Sequence, residues 1–431
     1  MNIANKGEQL YNLAKRLYPI CRSITGDGVR ETLRILGEVC PMQVYEVPSG
    51  TQVFDWEVPL EWNISNAYIE TLQGEKVISF SDSNLHVLGY SEPVDEIVSR
   101  EELLKHVYTQ PDQPNAIPYV TSYYKKRYGF CMTEAQKNNL AAEEYHICID
   151  SRFTDGSLTY GEIILPGETE EEVFFSTYVC HPSMANNEVS GPCVAINLAE
   201  QIAKMEKRRY TYRFAFIPET IGSLTYLSRN YKEMKKKVVA GFNITCVGDN
   251  RTYSYIPSRK GNTLADRVAK NVLGHHFPEY KKYSFLDRGS DERQYCAPGI
   301  DLPVCVICRS KFGEYPEYHT SLDNMDLISP EGLQGTYEVL SKIVMGVEYN
   351  RYYEVTCLGE PQLGKRGLYP TISQKGSYDG VKAMRNFLAY ADGTLDLFEI
   401  SEIIGEPVEK LIEVIEKLAA NELLNIKEKR E

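Results

Sequence analysis

Apolar positions fall along this chain in distinct textures. From about Tyr128 to Tyr349, short runs rich in β-branched and aromatic residues alternate with stretches in which apolar residues recur at helical spacing. That alternation predicts strands followed by helices. The runs lie at 145–149 and 158–165, which read as hairpin-like, then at 174–179, 212–217, 238–247 and 302–308. Helices are expected after Ser190 and Gly191, with Val194, Leu198 and Ile202 on one face, and near 224–234, 262–273 and 330–349. Pro330 opens the last of these, where its missing N–H is no loss. Two helices also precede the runs, at 8–17 (Leu10, Leu13, Leu17) and 29–37 (Val29, Leu33, Leu36), separated by the loop CRSITGDG.

Between 42 and 117 the texture changes to short alternating runs, 43–47, 62–64 and 76–80, broken by Gly and Pro, as in a small β module. Pro111, Pro114 and Pro118 mark its end. The tail differs again: helices are expected at 380–390, 395–404 and 407–421, with a tight turn at Gly405 and a short run at 423–426, the outline of a winged helix. The expected architecture is therefore α/β. A mostly parallel sheet with helices on both faces spans residues 1–41 and 118–355, with an inserted small β domain at 42–117 and a winged-helix-like domain at 356–431.

Charge narrows the partners. The 431 residues carry a net charge of −13, which argues against nucleic acid and against an anionic membrane surface, since both call for clustered Lys and Arg. The would-be recognition helix bears Glu406, Glu409, Glu413, Glu416 and Glu422 against Lys410 and Lys417, so protein contact or self-association is expected of it rather than DNA. No apolar span approaches the ~20 residues of a membrane helix, and the first residues lack a signal layout, so a cytoplasmic protein is expected. The cysteines number eleven, without a repeated spacing, and read as buried thiols. The lone CxxC, Cys305 and Cys308, lies in a strand that would send its thiols to opposite faces. Trp56, Trp62 and the 31 tyrosines carry no assigned role beyond packing.

Chemistry is expected where strands end. In FFSTYVCHPSMANNEVSG the run stops at His181, and Glu188 shares the following loop. FIPETIG places Glu219 after the next strand, GSDERQYCAPGIDLP carries Asp291 before the last one, and EYHTSLDN carries His319 and Asp323. Each piece alone is equally a structural histidine or a solvated carboxylate. Together they fall on successive loops at one edge of one sheet. A catalytic zinc takes three protein ligands and leaves a place for water. His181, Glu188 and His319 would supply them, Glu219 would be the base, and Asp291 or Asp323 could orient a ligand histidine.

The order CHPSMANNEVSG, PETIG, GSDE, EYHTSLD resembles the zinc-dependent aminopeptidases of the clan that also contains the glutaminyl cyclases. More closely, the whole chain is similar to a bacterial group of aminopeptidase-like proteins with an inserted β domain and a terminal winged helix, whose genes often lie near polysaccharide-biosynthesis genes. The resemblance implies His181 and His319 as metal ligands and Glu219 as general base. It also exposes departures: Asn187 stands for the bridging aspartate, Thr220 for the second glutamate of a Glu-Glu pair, and Thr245 for the third-strand aspartate, with Asp249 nearby. One zinc per chain rather than two is expected, with Glu188 as its carboxylate ligand. The implied function is hydrolysis of a peptide or amide bond; the alternative is a retired scaffold that binds a ligand or partner in the old cleft. A free substrate amine would need an anionic anchor, for which Asp291, Glu292 and Asp323 are candidates. The inserted domain is expected to cap the cleft or to support a homo-oligomer.

Overall fold

The computed structural model describes residues 5–123, 125–369 and 381–428. At its centre lies an eight-stranded sheet in the order Gln43–Pro48, Ser157–Leu165, Thr211–Ile217, Glu172–Tyr178, Val238–Ile244, Val304–Cys308, Ser254–Ile256, Lys281–Lys282. The inner strands, from Thr211–Ile217 to Val304–Cys308, run parallel, and their flanks are joined antiparallel. Every residue of Glu172–Tyr178 is buried, as a strand covered on both faces requires.

Each face has its own core. Phe175, Phe214, Phe242 and Ile307 meet the helices Gly7–Leu17, Asp27–Gly37, Ser190–Ala203, Leu264–His276 and Pro330–Tyr349 on one side. Phe174, Ala215, Ile217 and Val304 meet the helix Ile221–Lys237 on the other, together with Val58, Trp62 and Tyr90 of the inserted region. Cys305 and Cys308 fall in different cores, in keeping with a strand that points alternate side chains apart. All eleven cysteines are free thiols.

A second, four-stranded antiparallel sheet runs in the order Lys76–Ser79, Glu61–Thr71, Glu144–Thr154, Val94–Ser99. Two strands pair differently from the sequence expectation. Gln43–Pro48 joins the edge of the large sheet, and Glu144–Thr154, expected beside Ser157–Leu165 in the α/β unit, is an inner strand of the small one. Alternation identifies a strand but not the sheet it joins, which is decided by partners far away in sequence.

Between Val94–Ser99 and Glu144–Thr154 the chain passes through residues 117–121, which pair with the loop that carries His319. Pro118 bridges Thr320, the Tyr119 N–H donates to the His319 carbonyl at 2.8 Å, and the Ser321 N–H donates to the Ile117 carbonyl at 2.9 Å.

The tail holds the helices Lys382–Tyr390, Leu397–Ile404 and Val408–Ala420, with Tyr352–Val355 between Asp392–Asp396 and Leu424–Lys427 in a three-stranded sheet. Gly380, the expected start of the first helix, lies outside the described residues. Gly405, at φ 68°, closes the middle helix as a left-handed cap. Among the described residues, no helix is long and apolar enough to cross a membrane.

Candidate active site

The parallel strands deliver their carboxyl ends to one edge, where a pocket of about 360 Å³ opens. Its lining includes His181, Glu219 and His319, so these three expected residues meet in one cavity. Cys180, Tyr119, Tyr123, Thr220, Arg293 and Trp56 line it as well.

His181 follows the fully buried central strand and is itself buried, at 5% exposure. Its Nδ1 lies 2.9 Å from Glu188 Oε2, and its Nε2 lies 3.7 Å from Glu219 Oε2. The ring thus has a structural side and a pocket side. Glu188 stands on the structural side, in a wide π-helical turn, Ala185–Val189, that leads into the helix Ser190–Ala203. Its Oε1 is 3.4 Å from Arg22 Nε, and Glu188 is not part of the pocket wall.

Arg22 comes from the CRSITGDG loop and is buried at 1% exposure; its Nε donates to the His181 carbonyl at 2.9 Å and its Nη1 to the Leu17 carbonyl at 2.7 Å. Burial pushes the Glu188 carboxyl up, to about 8, and the guanidinium pulls it down. A guanidinium does not shed its proton, and a neutral carboxyl would leave a buried cation alone. We therefore assign the ionised carboxylate to Glu188, with Nδ1–H of His181 donating to it. Burial, reinforced by Arg22, lowers His181 to about 3, so the ring is neutral and its Nε2 lone pair faces the pocket.

His319 sits at φ 56°, a left-handed conformation that costs a non-glycine residue about 1–3 kcal/mol. The pairing of residues 117–121 with its loop holds it there. Its ring centroid is 5.3 Å from that of His181, 3.9 Å from that of Tyr318 and 5.1 Å from that of Tyr119. Burial keeps it neutral, and its Nε2 is buried without a hydrogen-bond partner. Buried nitrogens are rarely left so.

Glu219 follows the strand Thr211–Ile217 after Pro218, and its own N–H donates to Cys180 Sγ at 3.2 Å. Burial, and then the Asp291 carboxylate, push its pKa up from the usual carboxylate range. Thr220, at φ 62°, begins the helix Ile221–Lys237.

The other expected residues are held inside the fold. Asp291 accepts from the Thr220 N–H and the Ser223 hydroxyl, both at 2.8 Å. Asp323 clamps the wide turn, accepting from the N–H groups of Asn186 at 2.6 Å and Asn187 at 3.0 Å and from Tyr315 at 2.8 Å. Asn187 Nδ2 donates to the Tyr178 hydroxyl at 2.8 Å, and that hydroxyl bonds Thr245 Oγ1. Asp249 is held by Ser310 and by Asn186.

Cys180 Sγ, His181 and Glu188 also form a compact trio of metal-type donors, all within 4.8 Å. That trio gathers beside the Arg22 guanidinium, which would repel a cation. The pocket side offers two neutral imidazoles, one with an unpartnered nitrogen, and the Glu219 carboxyl, donor types that suit zinc but are spread more widely than that trio. The neighbouring Asn187, Tyr178 and Thr245 form a neutral hydrogen-bonded group in which Asn187 Oδ1 is buried without a partner.

A family described as a domain of unknown function, DUF4910, matches residues 11–350, and a winged helix-turn-helix family matches 351–426. The chain belongs to the DUF4910 family. A Clostridium acetobutylicum protein, described as a candidate polysaccharide biosynthesis protein with an aminopeptidase-like domain, is 42% identical over 99% of this chain and 98% of its own length. A solved structure of a candidate peptidase from the same organism superposes with a TM-score of 0.92 at 42% identity, covering 98% of this chain and 96% of that one. BSAP, a zinc aminopeptidase from Bacillus subtilis, superposes with a TM-score of 0.57 at 12% identity, covering 80% of this chain and 96% of its own. This last likeness is one of fold. The DUF4910 chain thus has an aminopeptidase-like α/β fold carrying a winged helix.

Proposed function

We propose that this protein is a metal-dependent hydrolase of a peptide or amide bond, with one zinc per chain. The observation that carries the reading is that His181, with Nε2 3.7 Å from Glu219, and His319, with an unpartnered Nε2, line one pocket together with Glu219. The zinc aminopeptidase fold supports it. His181 and His319 would hold the ion. Bound zinc supplies Lewis-acid polarisation of a carbonyl and lowers the pKa of water towards ~7.

The chain's own residues do the rest. Glu219, at His181's side of the pocket, takes a proton from the attacking water at a carboxylate oxygen and returns it to the leaving amine. Its raised pKa suits that exchange near neutral pH. Glu188 serves as an orienting carboxylate instead of the ligand expected from sequence, because its oxygen is committed to Nδ1, on the far side of the ring from Nε2.

The test is hydrolysis of a panel of aminoacyl and acyl amides by zinc-supplied protein. Glu219→Gln is expected to lower kcat about 10²–10⁴-fold with KM little changed. A zinc-loaded wild type that binds panel members and turns over none would favour the retired scaffold.

A further inference from the structure

The charges around the pocket describe its substrate more closely than the fold does. An enzyme that takes a free amino terminus needs an anion beside the scissile bond. The candidates for that anion stand outside the pocket wall, and of them Asp291 keeps its Oδ2 without a hydrogen-bond partner. Asp291 and Asp323 are held as described above, and Glu292 accepts from the N–H groups of Gly289 at 2.7 Å and Ser290 at 3.2 Å and from Asn243 Nδ2 at 3.2 Å. None of these three carboxylates lines the pocket; among its described lining residues the one acid is Glu219.

The pocket instead carries a cation. Arg293 is exposed and sits in its wall. Its Nη2 donates to Thr220 Oγ1 at 2.9 Å and its Nε to the Ser290 carbonyl at 3.0 Å, and among the described residues it makes no ion pair. These two bonds fix the guanidinium plane and leave Nη1 for a ligand. Thr220 follows Glu219 directly, so the anchored fork adjoins the reacting carboxylate. A planar fork with free N–H groups is suited to a carboxylate. Trp56, Tyr119 and Tyr123 give the wall aromatic faces without adding charge.

We propose that Arg293 forms an anion subsite beside Glu219, and that the substrate is an amide whose nitrogen is acylated and which carries a carboxylate, rather than a peptide with a free amino terminus. This rests on the hydrolase reading and names its substrate class.

The test is calorimetric binding of three probes to the full chain, with and without added zinc: N-acetyl-leucine, its methyl ester and leucinamide. The carboxylate is expected to bind at least about tenfold tighter than the ester. Arg293→Met should abolish that preference, and Arg293→Lys should keep part of it. Tightest binding of leucinamide, or a preference that survives Arg293→Met because zinc alone reads the carboxylate, would overturn the subsite. Metal content measured on the same samples separates the two readings. Zinc bound without an Arg293-dependent preference removes the subsite and spares the hydrolase; an Arg293-dependent preference in protein that takes up no zinc does the reverse.

Discussion

His181 works through what stands behind it. Arg22, Glu188 and the ring form a buried line in which the guanidinium holds the carboxylate and the carboxylate holds Nδ1–H, leaving Nε2 as the lone pair in the pocket. Replacing Glu188 with Gln keeps the shape but weakens that orientation. Glu188→Gln is therefore expected to retain zinc at saturation with affinity lowered about 10–100-fold, as a chelator titration would measure. Loss of zinc at saturation would return Glu188 to the ligand role. At this scale the placement of His181, Glu219 and His319 in one pocket was legible because strand ends in an α/β pattern point to one edge. Arg22 and Tyr119 were not. Arg22 lies 159 residues before its hydrogen-bond acceptor, and no local period marks either residue.

Between elements, one cluster ties the two sheets together. Arg30, on the helix Asp27–Gly37, forks onto Glu61 of the small sheet at 2.7 and 2.6 Å, and Glu61 accepts from the Ser157 N–H of the large sheet at 3.0 Å. The Arg30 hydrogen bonds hold Glu61 at about 2, against 4.5 without partners. With the folded value depressed, the stability from this contact is present above about pH 4.5 and is lost as pH falls towards 2. Glu61→Gln should remove that acid-labile part and cost about 1.5–3 kcal/mol at neutral pH in urea unfolding. An unchanged acid midpoint would contradict it. The strand pairing around the inserted region was not legible from sequence for the same long-range reason. The turn at Asp155 and Gly156 carries the chain from Glu144–Thr154 in one sheet to Ser157–Leu165 in the other, and nothing in the alternation of the two runs marks the change.

For the molecule as a whole, the tail is docked rather than tethered. Glu409 meets His276 at 2.7 Å and Lys342 at 2.9 Å, Glu416 accepts from Tyr349 at 2.8 Å, and Arg267 meets Asp396 at 2.6 Å. A side chain added at Gly346 would meet the Phe398 ring at 3.1 Å. Gly346→Leu should therefore loosen the tail, costing about 1–3 kcal/mol and resolving a separate melting step, which calorimetry reads. A single unshifted transition would show that the packing gives way easily. The winged outline was legible from Gly405 and the spacing around it. The docking was not, because the acids of Val408–Ala420 look solvated until their partners on Pro330–Tyr349 and Leu264–His276 are in place.

The most direct measurement is metal content per chain, by elemental analysis of protein purified without chelator and supplied with zinc. About one zinc in the wild type, lost in both His181→Ala and His319→Ala and kept in Cys180→Ser, is the expected result. No bound zinc in the wild type, or one that survives both histidine substitutions, would contradict a single-metal site in this pocket.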